Sequence, residues 1–149
     1  MDVPLTPRDA RSTLRPAGRA SLYPSGAESR IEAVERICAE DIRRAARRAV
    51  EAGADPAGRA AALEQLLGTL GRLERYLAGE EYPVAGRLTA ADIELWAALV
   101  QLDTVHSRRL DTSAVRRVAG HPVLWGHVRR LTARPAFAAH LDGFVSSAE

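Results

Sequence analysis

No lysine and no asparagine occur among the 149 residues, and all 21 basic residues are arginine. Schiff-base chemistry on a lysine amine is therefore excluded, as is a phosphate-binding P-loop, which needs its lysine. Cysteine is nearly absent as well. The single thiol, Cys38, cannot form an internal disulfide framework or a cysteine-rich zinc site. Aromatic residues are scarce and not interleaved with the arginines. The net charge of +2 gives no bulk attraction to nucleic acid. The longest apolar run, Leu95 to Val100, is far too short to cross a bilayer. Met1-Asp2-Val3-Pro4 puts an acid and a proline where a secretory signal needs a basic and then an apolar stretch. The expectation is a cytoplasmic protein with neither membrane nor nucleic-acid partners, and with no metal and no cofactor.

What is present is helical periodicity. Residues 1–24 hold Pro4, Pro7, Pro16 and Pro24 among Arg, Ser and Thr, which reads as an extended N-terminal arm. From Ile31 the period changes: Ile31, Val34, Ile37, Cys38, Ile42, Ala45, Ala46 and Ala49 trace one face of a helix running from about Gly26 to Gly53. Asp55-Pro56 then supplies a cap and a proline at the first helical position. A second helix carries Leu63, Leu66, Leu67, Leu70, Leu73 and Leu77 and stops at Gly79. Thr89 opens a third, with Ile93, Trp96, Ala97, Val100 and Val105 inside. A short fourth lies near Ser113 to Ala119, Pro122 opens a fifth through Leu131, and Pro135 a sixth through about Leu141. No alternating β-branched run suggests a sheet. The pattern predicts one all-α domain of about six helices over residues 25–144, followed by a tail at 145–149.

The most informative stretch is Val84-Ala85-Gly86-Arg87-Leu88-Thr89-Ala90-Ala91-Asp92-Ile93. A glycine turn leads to Thr89, and Asp92 stands three residues on, at the spacing of a capping box; Leu88 and Ile93 flank it as a hydrophobic staple. Asp92 therefore reads as a structural cap. Together with Pro83, with His121-Pro122-Val123-Leu124-Trp125 before the next long helix, and with the order of the other helices, this stretch resembles the C-terminal helical domain of the glutathione S-transferases. Leu22-Tyr23-Pro24 followed by Ile31-Glu32-Ala33-Val34, and Leu99-Val100-Gln101-Leu102-Asp103-Thr104-Val105-His106, are similar to the glutathionyl-hydroquinone reductase, or Xi-class, branch. The resemblance runs from about Leu22 to Phe144.

That resemblance also implies departures. Members of the family bind thiol through a thioredoxin-like domain ahead of the helices, and the reductases' catalytic Cys-Pro motif lies there. Only 21 residues precede Leu22, so the expectation is a helical domain without that partner domain, and no residue here matches the motif. The branch's Asn-Asn-Gly-x-Tyr run falls on Arg43, Arg44, Ala45, Ala46 and Arg47, and the tyrosine expected after Asp103-Thr104-Val105 is His106. Hydroquinone reductase activity is therefore not carried over.

The candidate site follows from these substitutions. Asp103 and His106 lie three apart, so on an α-helix the carboxylate can orient the ring as a general acid/base pair; a surface ion pair near a helix end is the plainer reading. Arg43, Arg44, Arg47 and Arg48 fall opposite the apolar stripe of the first helix. Arg43 and Arg47 could clamp an anionic group there, or the row could be solvated, with Glu40 pairing Arg44. Trp96 would wall the pocket or fill the core, and Cys38 reads as a small buried hydrophobe. The expected function is small-molecule binding, or thiol-independent proton transfer of isomerase or cyclase type, on an anionic or aromatic metabolite between the first and third helices. The alternatives are an interaction module, as a homodimer or with a separate thioredoxin-like partner, and glutathione transferase-like activity.

Overall fold

The computed structural model describes residues 22–51, 55–106 and 119–139, with backbone alone for Val105 and His106. The arm through residue 21, the fourth helix near Ser113 and the tail lie outside the described residues. No strand occurs among the described residues, in agreement with the all-α expectation.

The first helix, α1, runs without a break through three segments: α-helical Glu28–Arg36, wider π-helical turns over Ile37–Arg44, and α-helical Ala45–Val50. Its apolar stripe buries Ile31, Val34, Cys38, Ile42, Ala45 and Ala46. Helix α2, Pro56–Leu77, starts where the sequence indicates: the Asp55 side chain accepts from the Gly58 N–H at 3.3 Å and Pro56 needs no partner for a missing donor. The chain then reverses through Gly79 at φ +82°. Helices α1 and α2 form an antiparallel hairpin whose register is marked by Gln65 Nε2 donating to Asp41 Oδ1 at 3.1 Å.

Helix α3, Ala90–Gln101, continues as a π-helical segment, Leu102–His106. Every residue from Ala90 to Val100 is buried. A helix that is apolar nearly all round belongs inside a bundle, and α3 is packed between α1 and α4, Pro122–Thr132. Trp96 fills the space beyond α3, edge-on to Phe137 at 4.9 Å, with its indole N–H donating to Thr132 Oγ1 at 3.0 Å. Helix α2 packs on α1 and on α4.

Two capping arrangements fix α3 and α4. The Ala91 N–H donates to Thr89 Oγ1 at 3.3 Å, and the Thr89 N–H to Asp92 Oδ2 at 2.8 Å, so the box written in the sequence closes in both directions. The cap of α4 comes from elsewhere: Glu74 of α2 accepts from the Val123 and Leu124 N–H groups at 2.7 and 2.9 Å. His121, at the cap position itself, makes no capping bond through its side chain. A carboxylate from a neighbouring helix thus satisfies two donors and meets the positive end of the α4 dipole.

The approach to α3 is tight. Ala85 and Gly86 both lie in the left-handed region, at φ +60° and +63°. Glycine adopts this conformation freely, but an alanine Cβ costs roughly 1–2 kcal/mol. Ala85→Gly is therefore expected to raise stability, by about 0.5 kcal/mol after the greater unfolded-chain freedom of glycine is subtracted. Urea denaturation measures it, and a less stable variant would show that Ala85 is held by contacts worth more than the strain.

Candidate functional site

Helix α3 carries three carboxylates into the bundle, and each is met differently. Asp92 is fully buried. Its Oδ2 takes the Thr89 N–H, and its Oδ1 lies 3.0 Å from His127 Nε2 on α4. A carboxylate there accepts, so the ring proton sits on Nε2; Nδ1 is buried with no partner among the described residues. The sequence reading did not single out His127; the available signal was its place three residues from Leu124 and four from Leu131 on the inner stripe of α4, and nothing in the sequence marks its partner.

Glu94 is met by Arg43. The Arg43 Nη1 donates to Glu94 Oε1, its Nε donates to Gln101 Oε1 at 3.2 Å, and the two charged side chains are 18% and 8% exposed. This corrects the expectation that Arg43 faces outward to clamp a ligand. The apolar stripe lies where the sequence places it, with Cys38, Ile42, Ala45 and Ala46 buried; Arg43 stands beside Ile42 on its flank, and a buried carboxylate on α3 demands a cation. Arg44 does pair with Glu40 at 3.2 Å, as the solvated reading has it. Arg47 is exposed on α1 and does not line the cavity described below. Cys38 sits beside the Arg43–Glu94 pair, fully buried. Burial pushes its thiol up to about 12, the Glu94 charge adding to the effect and Arg43 opposing it. Such a thiol is inert at neutral pH, as a packing role requires.

Of the two readings of Trp96, the structure has the core one: it is fully buried with its N–H bonded to Thr132, and the role of a ligand wall is corrected.

Asp103 is the third carboxylate. It lies on the wall of a cavity of about 420 Å³ between α3 and α4, with Val100, Thr104, Trp125, Val128 and Arg129. The expected location, between the first and third helices, is occupied instead by the Arg43–Glu94–Gln101 contact. The Asp103 Oδ1 is buried with no partner among the described residues, and burial raises its pKa above the ordinary carboxylate range. Thr104 bonds back to the Val100 carbonyl at 2.8 Å. Trp125 is half-buried and Arg129 exposed, so the cavity has an aromatic wall and a cation at its mouth. The sequence reading looked for both on other helices. His106 closes the π-helical segment, and its side chain lies outside the described residues.

Among the described residues no three His, Cys, Asp or Glu side chains are grouped to hold a metal ion, and no helix is long and apolar enough to cross a membrane.

Comparison with known proteins agrees with this architecture. Residues 56–130, half of the chain, match the family described as glutathione S-transferase, C-terminal domain. The chain belongs to that family. A glutathionyl-hydroquinone reductase of Sphingobium chlorophenolicum, PcpF, is 35% identical over 77 residues, which are 52% of this chain and 24% of that protein. Among solved structures, glutathione transferase Xi 1 of Trametes versicolor superimposes with a TM-score of 0.72 at 25% identity, over 83% of this chain and 43% of that one. A glutathione transferase of Gordonia bronchialis gives 0.69 at 28% identity, over 78% and 36%. The chain thus spans about a quarter of the curated relative and about two fifths of the solved structures it matches. The likeness to Xi-class transferases seen in Leu22–Val34 and Leu99–His106 is matched by the fold.

In this transferase-type domain Arg43 supports the bundle. Arg43→Met is expected to destabilise it by about 3 kcal/mol, because Glu94 stays buried without this cation. Combining it with Glu94→Gln should restore most of the loss. Thermal or denaturant melts of the single and double variants read this directly, and a single variant as stable as the parent would return Arg43 to the ligand-binding candidates.

Proposed function

We propose that this domain binds a small anionic or aromatic metabolite in the α3–α4 cavity and acts there by thiol-independent proton transfer of isomerase or cyclase type. Asp103 is the acid/base, with His106 assisting from the end of the same helix. The observation that carries the reading is the Asp103 carboxyl, which stands in the cavity wall with a buried oxygen unpartnered among the described residues and a raised pKa. A carboxyl with elevated proton affinity can both hold and release a proton, and such groups concentrate at functional sites. Arg129 and Trp125 take the roles first sought in Arg43, Arg47 and Trp96: a guanidinium for the anionic group and an aromatic wall for the body of the ligand.

A second reading, glutathione transferase-like chemistry, is favoured by the names of the relatives. In that reading the thiol site is contributed by a thioredoxin-like unit, and the chain acts as its helical half or as one half of a homodimer. Calorimetry separates the two readings. Heat on addition of millimolar glutathione supports the second, whereas heat only with aromatic acids supports the first.

Asp103→Asn is expected to lower proton-transfer turnover on a bound aromatic acid by on the order of 10²–10⁴-fold with affinity little changed; full activity in this variant would remove Asp103 from the mechanism. Stability gives a separate reading. Because burial raises the folded-state pKa, the folded chain holds this proton more tightly than the unfolded chain. The resulting stabilisation is present in acid and lost as pH rises through the folded pKa. Asp103→Asn should therefore gain stability relative to the parent as pH rises from acid to neutral, in denaturation curves across that range.

A further inference from the structure

Two threonines line the α3–α4 cavity from opposite helices, Thr104 on the extension of α3 and Thr132 at the end of α4, and their hydroxyls are committed in opposite senses. Thr104 Oγ1 lies 2.8 Å from the Val100 carbonyl. A carbonyl only accepts, so the Thr104 proton is taken there and Thr104 has only lone pairs left for the cavity. Thr132 Oγ1 lies 3.0 Å from the Trp96 indole nitrogen. An indole N–H only donates, so here the hydroxyl oxygen accepts and keeps its own proton. No described residue takes that proton, not even the carbonyl four residues back, which serves Thr104 in this way. With its oxygen tied to a fully buried indole, Thr132 has its O–H left for the cavity that it lines.

The two walls are therefore unlike. Acceptors stand on α3, in Asp103 and Thr104. Donors stand on α4, in Arg129 and Thr132, which lie three residues apart and share a face of that helix. Trp125 adds an aromatic surface from the same side.

We propose that Thr132 is the specificity-determining donor of this cavity and that the substrate class is an aromatic 2-oxo acid, with its carboxylate on Arg129, its oxo oxygen on the Thr132 hydroxyl and its ring against Trp125. The inference rests on the α3–α4 cavity being the substrate site. Two adjoining donors of unlike charge ask for two adjoining acceptors, one anionic and one neutral, and a 2-oxo acid carries that pair on neighbouring carbons. It also carries an acidic C–H for Asp103. The proton leaves C3 for the Asp103 carboxylate, the C–H electron pair forms the C2–C3 double bond, and the carbonyl π pair passes to the oxygen facing Thr132. Return of the proton from Asp103 to that oxygen completes the enol. One proton moves and nothing is oxidised or reduced. A donor fixed where negative charge develops favours that step.

Calorimetry on the full chain compares phenylpyruvate with 3-phenylpropanoate, which has the same ring and carboxylate but no oxo oxygen. The parent is expected to bind the oxo acid about fivefold more tightly, the effect of one neutral hydrogen bond. Thr132→Ser should keep this preference, and Thr132→Val should bring the ratio to about one with affinity for 3-phenylpropanoate little changed. Thr132→Val also leaves the buried Trp96 N–H without this acceptor. Trp96→Phe/Thr132→Val removes donor and acceptor together and should show the same ratio of about one. A parent that binds the two acids equally, or binds neither, overturns the proposal, as does a preference that survives in a folded valine variant. Undiminished turnover in Asp103→Asn beside an intact, Thr132-dependent preference would sink the acid/base assignment while supporting the role of Thr132.

Discussion

The bundle depends on one carboxylate. Asp92 is completely buried at the start of α3, and its two oxygens tie that start to two places: Oδ2 to the turn at Thr89 and Oδ1 to the His127 ring on α4. A buried carboxylate with one partner would be a liability. With the cap and the imidazole both engaged it sets where α3 begins and how α4 lies against it, and that crossing forms the cavity beneath Asp103. Loss of an exposed cap costs about 1 kcal/mol. At Asp92 the same change also leaves His127 without its acceptor in the interior, so the cost is compounded by an unsatisfied buried group.

The elements of this arrangement that are local in sequence were legible. Thr89 and Asp92 are three residues apart, Asp55 and Pro56 adjacent, and the leucines of α2 periodic; each encodes its structure within one or two helical turns. The parts that join different helices were not. Glu74 caps α4 from 49 residues away, and Arg43 reaches Glu94 across 51. No spacing rule relates such positions, because their proximity exists only after the bundle has assembled.

The misplacement of Arg43 has a more specific origin. Faces were counted at the α-helical period, while Ile37–Arg44 and Leu102–His106 are π-helical. The apolar stripe keeps its place through the first of them, with Cys38, Ile42, Ala45 and Ala46 all buried, and Arg43, on its flank, is drawn inward by Glu94. The second carries Asp103 to the edge of the α3–α4 cavity. Irregular helical turns of this kind are rare and recur at functional sites, and their usual effect is to re-aim a side chain. For Trp96 the sequence leaves a ligand wall and a core position both open, and the bundle decides for the core by supplying an edge-on ring, Phe137, and an acceptor, Thr132.

The three acids of α3 show why the candidate site falls where it does. A buried carboxylate must be neutralised, paired or hydrogen-bonded. Asp92 is answered by a cap and an imidazole, and Glu94 by a guanidinium held in place by Gln101. Both carboxylates are engaged within the fold, and a ligand could reach them only by breaking contacts that support the bundle. Asp103 is answered in neither way among the described residues. It lies past the end of the packed core, where α3 widens and a cavity with an aromatic wall and a cation adjoins it. Burial raises its pKa above the ordinary carboxylate range, and the carboxyl adjoins the cavity. A helix that satisfies its first two acids internally and leaves the third facing an open space concentrates its chemical capacity at that third position.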